Sequence, residues 1–143
     1  MGAPFTGGCV CGAIRYQCTA EPIAVIHCHC RDCQRSSGTQ MSTVLLVPTP
    51  AFGLLKGTPR SYPFTADSGN VLHRQFCGDC GVPLFTELKA MPDVWVIKAG
   101  SLDNPSWLKP SMHIYCDSAQ PWDLLYRIPV DIDLPRHGKM PPA

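Results

Sequence analysis

Three tight cysteine clusters constrain this chain more than any other feature. They are Cys9-Val10-Cys11, Cys28-His29-Cys30-Arg31-Asp32-Cys33 and Cys77-Gly78-Asp79-Cys80, and they hold seven of the nine cysteines. Thiols separated by one or two residues on a turning backbone can reach a single metal ion. They cannot readily bond to each other without strained disulfide geometry. A soft thiolate cluster of this kind selects zinc, less often iron–sulfur or copper(I). Seven ligands do not divide into two sets of four. The remainder of three points to one sealed site and one site with an open position, where chemistry can occur.

The rest of the sequence fits one small domain. At 143 residues with 45% hydrophobic content, the chain has enough apolar material for one core. Its net charge of +1 is spread over mixed signs, which argues against nucleic acid and against an anionic membrane surface. No apolar run approaches the ~20 residues needed to span a bilayer. No basic region followed by a hydrophobic stretch marks a secretory signal. A thiolate-type cysteine set without such a signal predicts a reducing cytosol. Met1-Gly2-Ala3-Pro4-Phe5-Thr6 matches the loose myristoylation pattern, but with Pro4 inside it and no basic patch it reads as coincidence.

Fifteen prolines and twelve glycines disfavour long helices. Short stretches rich in β-branched and aromatic residues read as strands over Ala13–Cys18, Ala24–Cys30, Met41–Val47, Val71–Phe76, Val82–Leu88, Val94–Ala99 and His113–Cys116. Asp67-Ser68-Gly69-Asn70 supplies a turn before the fourth of these. Arg31–Ser37, closed by Gly38, reads as a helical turn, and a second short helix is possible around Trp122–Tyr126. No internal repeat or linker divides the chain. Residues 1–134 are read as one domain, followed by a polar, proline-rich, loosely held tail over 135–143.

Roles follow from spacing. Cys9 and Cys11 are followed by Gly12 and a strand, and Cys77 and Cys80 by Gly81 and another strand. Both glycines fit turns where backbone amides approach sulfur closely, a task suited to a residue without Cβ. Two cysteines from each of these distant segments would complete a tetrahedral site that contributes folding energy directly. The alternative is two buried or redox-active pairs, but no βαβ pattern surrounds Cys77-x-x-Cys80. In the middle cluster, Cys28 and Cys30 project to one side of a strand end and Cys33 arrives one helical turn later. Zinc with three thiolates carries −1 and can accept an incoming thiol and hold it as thiolate. Arg31 and Arg35 could offset that charge or grip a substrate carboxylate; ordinary surface placement is the competing reading. His29 alternates with the cysteines and reads as a structural hydrogen-bonding residue. His113 reads as a satisfied core histidine that could also line the open site. Cys18 and Cys116 lack partners at ligand spacing and read as small buried hydrophobes.

Gly8-Cys9-Val10-Cys11-Gly12 with Tyr16, the Cys28–Cys33 cluster, and Phe76-Cys77-Gly78-Asp79-Cys80-Gly81 together resemble the glutathione-dependent formaldehyde-activating enzyme family, which includes centromere protein V-like members. Ala99-Gly100-Ser101-Leu102-Asp103-Asn104-Pro105, Pro110-Ser111-Met112-His113-Ile114 and Trp122 are similar to the family's second half. The resemblance implies a mainly β, β-tent fold of several coiled antiparallel sheets built around zinc, with little helix. It implies two zinc ions: a structural one on Cys9, Cys11, Cys77 and Cys80, and a catalytic one on Cys28, Cys30 and Cys33. It further implies a carbon–sulfur lyase-type activity that forms S-(hydroxymethyl)glutathione from glutathione and formaldehyde. The four-ligand site should hold its zinc tightly and the three-ligand site should hold a labile ion. Val82 stands where the family often has a small hydroxyl residue. A thiol carrier without turnover and a structural zinc module that binds a protein are the competing functions.

Overall fold

The computed structural model describes residues 2–123. Three antiparallel strands, β1 (Phe5–Gly8), β2 (Arg15–Cys18) and β5 (Phe52–Lys56), form a small sheet in the order β1-β2-β5. A seven-stranded sheet contains β3 (Ala24–Cys28), β4 (Ser42–Pro48), β6 (Arg60–Thr65), β7 (Val71–Phe76), β8 (Pro83–Leu88), β9 (Val94–Lys98) and β10 (Met112–Ile114). Its order is β10-β3-β4-β9-β8-β7-β6. One helix, α1 (Arg31–Ser37), and three short 3₁₀ turns complete the described residues. The protein is therefore mainly β with little helix, and its sheets are antiparallel except where β10 runs parallel to β3.

Alternation along the strands separates the large sheet into two faces. Leu45 and Val47 of β4, Phe85 of β8 and Ile97 of β9 point toward the small sheet, and all four are buried. There they meet Tyr16 and Cys18 of β2, neither of which is exposed. Aromatic rings dominate this layer: Tyr16 stands edge-on to Phe85 at 5.0 Å, and Phe52 stacks on Trp95 at 5.0 Å. A phenol at the centre of such a core must spend its hydroxyl on a partner. Tyr16 Oη bonds Ser101 Oγ at 2.8 Å, and Ser101 Oγ donates to the Lys98 carbonyl at 2.7 Å. The opposite face carries Ile26, Val44 and Val96, a smaller apolar cluster against which Ala24, Leu46, Leu88 and Ile114 pack. That second face is the floor of the candidate site.

The α1 boundaries agree with the sequence, and Gly38 ends the helix in a left-handed conformation. β7 also begins and ends where expected, with the Asp67–Asn70 turn closed by an Ala66 amide bond to the Asn70 carbonyl at 2.9 Å. The sequence reading missed β1, β5 and β6. The expected strand over His113–Cys116 instead covers Met112–Ile114, because Tyr115 takes a left-handed backbone (φ 56°) and ends it. Cys116 then falls in a 3₁₀ turn and is exposed, so its expected burial is incorrect. Cys18 is buried as expected. Of the second helix expected around Trp122–Tyr126, Trp122 and Asp123 lie in and just after a turn, and the remainder falls outside the described residues. The boundary at 134 and the tail over 135–143 also lie outside them. Among the described residues, no helix is long and apolar enough to cross a membrane.

Candidate functional site

All nine cysteines are free thiols, and seven gather as the spacing requires. Cys9, Cys11, Cys77 and Cys80 form one group and Cys28, Cys30 and Cys33 another, with the sulfur atoms of each group within 4.8 Å of one another. Adjacent sulfurs stand 3.5 Å apart for Cys9–Cys11 and 3.6 Å for Cys11–Cys77. A tetrahedral zinc with Zn–S near 2.3 Å requires sulfurs about 3.8 Å apart. Cys28 and Cys30 sit 3.5 Å apart, close to the same edge. Sulfur-only donors at this separation fit zinc, and either group could hold one ion.

The four-cysteine group is built from two similar turns. The first connects β1 to β2 in the small sheet, and the second connects β7 to β8 in the large one. In each, the first cysteine's amide donates to a carbonyl five residues on: Cys9 to Ile14 at 3.2 Å and Cys77 to Val82 at 3.0 Å. In each, a glycine amide bonds back to that cysteine's carbonyl, at 3.2 Å for Gly12 and 2.9 Å for Gly81. Both glycines have a left-handed backbone, φ 76° and 77°. A Cβ placed on either would meet nothing within 4 Å. Backbone conformation rather than close approach to sulfur therefore explains them, which corrects the steric reason drawn from sequence. The Ile14 amide donates to Cys9 Sγ at 3.2 Å, fixing one ligand from behind.

The three-cysteine group comes from one stretch. Cys28 ends β3, Cys30 caps α1, and Cys33 lies in the first helical turn, where its amide donates to Cys30 Sγ at 3.3 Å. His29 points the other way, as alternation requires, and is fully buried. Its Nε2 lies 2.9 Å from His113 Nδ1, and its Nδ1 is 3.4 Å from Asp123 Oδ2. His113 is exposed and stacks against His27 and His29, so it is not a core residue and does not line the cavity described below. Gln34, buried in α1, spans this region. Its amide nitrogen donates to the His29 carbonyl at 2.6 Å and the Ser118 carbonyl at 3.0 Å, while its oxygen accepts from Arg31 and Gln120.

Proton competition marks both groups. Burial pushes the Cys9 thiol up, but the Ile14 amide and the sulfurs of Cys11, Cys77 and Cys80 outweigh it and lower it to about 6. The Ala13 amide favours a Cys11 thiolate, yet Cys9, burial, Cys77 and Cys80 together push Cys11 up to about 12. A hydrogen bond with Cys33 pulls Cys28 down against its burial, and the same bond together with burial pushes Cys33 far up. One thiolate in a group makes the next costly, so a bound dication would neutralise what the thiols cannot share.

A cavity of about 550 Å³ opens beside the three-cysteine group and is lined by Cys28, Cys30 and Cys33. Its floor is the second face of the large sheet, with Ile26, Val44 and Val96. Arg31 lines it, whereas Arg35 lies exposed on α1 and is not among the lining residues. Arg74, Lys98 and Tyr115 also line it, and the sequence reading singled out none of them for the site. A visible signal existed only for Lys98: Val94, Val96 and Lys98 alternate, placing a cation at the end of an otherwise apolar strand face. Neither this cavity nor a smaller neighbouring one of about 260 Å³ is lined by a cysteine of the four-membered group.

Two sheets around an aromatic core carry two sulfur-rich groups that could each hold a metal ion, with a cavity beside one of them. The family described as glutathione-dependent formaldehyde-activating enzyme matches residues 4–118, and the chain belongs to that family. It is also similar to the crystal structure of a Rhodobacter sphaeroides protein from structural genomics, at 19% identity and a TM-score of 0.59. That likeness covers 76% of this chain and 98% of the other, and at this identity it speaks to the fold alone.

Proposed function

We propose that the chain is a zinc-dependent carbon–sulfur lyase-type enzyme that joins a small thiol of the glutathione class to formaldehyde or a related small aldehyde. In the forward direction a C–S bond forms between sulfur and the carbonyl carbon, and the thiol proton ends on the new hydroxyl oxygen. The observation that carries this reading is the three-cysteine group lining a 550 Å³ cavity, in a chain whose other cysteine group has four members and lines neither cavity. Cys9, Cys11, Cys77 and Cys80 would hold a tight structural zinc, and Cys28, Cys30 and Cys33 a labile catalytic one. Zinc on three thiolates supplies a centre that keeps an incoming thiol deprotonated at neutral pH.

The chain's own residues supply the rest. Cys30 caps α1, so the metal-binding stretch is anchored by the helix that covers one end of the cavity. Gln34 holds the Arg31 guanidinium and ties α1 to the 3₁₀ turn at Cys116–Ser118. Arg31 is proposed as a substrate contact at the cavity; Arg35, one turn along, would act only through its charge. The apolar floor excludes water and favours a bound, oriented thiol over one in solution. Thiols add to formaldehyde unaided, so the gain should come from positioning and thiolate population. Free cysteines throughout suit a reducing compartment such as the cytoplasm. Residues 1–134 are taken as one functional domain.

The zinc-loaded protein, mixed with glutathione and formaldehyde, should raise the exchange rate between free and adduct forms above the uncatalysed rate. Exchange NMR at equilibrium would read this, and the excess should vanish in Cys30→Ser. Glutathione binding without rate enhancement would make the protein a carrier. Absence of thiol binding to the fully loaded protein would leave a structural zinc module.

A further inference from the structure

The cavity wall carries two cations that no carboxylate pairs with among the described residues. Among the described residues, the ion pairs are Arg15–Asp103, His29–Asp123 and Lys89–Glu87, so neither Arg74 nor Lys98 forms one. Both line the large cavity and the smaller one beside it, which places them on the wall the two share. Asp32 and Asp67 also line the large cavity, but neither pairs with them.

Both side chains are held in place. Lys98 Nζ donates to Ser42 Oγ at 2.7 Å, and Ser42 is the cross-strand partner of Cys28. Arg74 lies on β7, opposite Thr86 of β8, which in turn faces Val96 of β9. Two strand spacings of about 4.8 Å thus separate the Arg74 backbone from β9, within reach of two long side chains. The Arg74 guanidinium sits over the Phe64 ring, 4.5 Å from its centroid. A stacked guanidinium keeps its edge N–H groups available in the plane, the geometry that grips a carboxylate with two hydrogen bonds. Burial holds the Lys98 pKa below its usual value and Arg74 adds to this, while the Cys33, Cys28 and Cys30 charges act the other way. Two like charges on an apolar wall repel each other, and an anion between them relieves both.

We propose that Arg74 and Lys98 form a carboxylate subsite that selects thiols bearing a carboxylate and orients them with sulfur toward Cys28, Cys30 and Cys33. The inference rests on the thiol reading above for the position of sulfur, while the anion subsite itself does not need a metal. Arg74 and Lys98 would be specificity-determining residues, touching the part of the substrate that does not react.

The test uses the zinc-loaded full chain and three probes: 3-mercaptopropionate, 2-mercaptoethanol and S-methylglutathione. A desolvated charge-assisted contact should make 3-mercaptopropionate bind about tenfold tighter than 2-mercaptoethanol. In Arg74→Gln and in Lys98→Met this preference should fall to about twofold or less, with 2-mercaptoethanol affinity and zinc content unchanged, and Arg74→Lys should restore part of it. S-methylglutathione has no free thiol, so it reads the anion subsite alone. It should bind the parent protein and lose about tenfold in Arg74→Gln. If 2-mercaptoethanol fails to bind while S-methylglutathione responds to Arg74→Gln, the thiol reading fails and the subsite stands. Unchanged preference in both variants would overturn the subsite. Loss of zinc and of 2-mercaptoethanol binding in Lys98→Met would also overturn it for that residue, making it a counter-charge for the cysteines.

Discussion

The two cysteine groups gather the same atoms in opposite ways. One draws its ligands from turns 66 positions apart, as between Cys11 and Cys77, and those turns belong to different sheets. The other draws all of its ligands from Cys28 to Cys33, within one strand end and the helix that follows. A metal in the first group would close a long loop and clamp two layers, so its binding energy would be folding energy. A metal in the second would close almost nothing, because β3 and α1 are already positioned by the sheet and by Gln34. On the proposed reading, sequence separation of the cysteines, more than their number, is what would make one group a clamp and the other a reaction centre.

The strongest way to break that contrast is to remove one ligand from each group. Structural zinc in small peptides is worth about 10–16 kcal/mol. A whole domain is stable by about 5–15 kcal/mol, so losing that contribution is comparable to the entire margin. Cys80→Ser should therefore give insoluble protein or no cooperative melt, whereas Cys33→Ser should remain folded with a near-parental Tm. Circular dichroism melts of the two variants decide it. Equal collapse of both would show that the local group also holds the fold together.

Graded chelation sharpens the same contrast with a smaller effect. One zinc should leave readily without loss of structure, and the second should leave only with unfolding. The acid dependence has a definite sign. Thiols must lose protons to bind metal, and Cys11, pushed up to about 12, holds its proton firmly. Binding should release protons, so both ions should dissociate more easily as pH falls from 8 to 6. Metal analysis at each chelator step, with circular dichroism alongside, checks both statements. A single class of metal would contradict the division.

Sequence legibility followed the range of each interaction. The cysteine partition, α1 and β7 were readable because their signals are local: ligand spacing, a glycine cap and a turn before a β-branched run. β6 was missed because Arg60-Ser61-Tyr62-Pro63-Phe64-Thr65 is mostly exposed and contains a proline, which only an edge strand tolerates, and β6 is the sheet's edge. β1 ends in Gly7-Gly8, which carries no strand preference, and the small sheet places Gly7 directly against Tyr16 Oη. β5 packs through Phe52 but exposes Leu54 and Leu55, so no alternation announces it. Arg74 and Lys98 share a wall only through the register of β7, β8 and β9, which no spacing rule encodes. The family-like segment Ala99–Pro105 proved to be a tie between layers, through Ser101 to Tyr16 and Asp103 to Arg15 and Thr6.

That tie supplies the smallest test, since it joins the same corner of the fold without metal. Arg15 begins β2, just after the turn that carries Cys9 and Cys11. Its guanidinium grips both Asp103 carboxylate oxygens, at 2.9 Å for the Nη1–Oδ1 contact, and Thr6 Oγ1 donates to the same group at 2.6 Å. These bonds hold Asp103 at about 2, below its ordinary value. A depressed carboxylate stabilises the fold fully above its unfolded value and loses that contribution only as pH falls through the folded one. Between pH 6 and 8 the contribution is therefore constant. Nearly half of the Asp103 side chain is exposed, at 47%, so solvent screens the pair to about 0.5–1 kcal/mol. Asp103→Asn should lower the Tm by a few degrees, equally at pH 6 and pH 8, and should leave zinc content intact. A loss approaching that of Cys80→Ser would show that this corner is held by the ion pair rather than by the four cysteines.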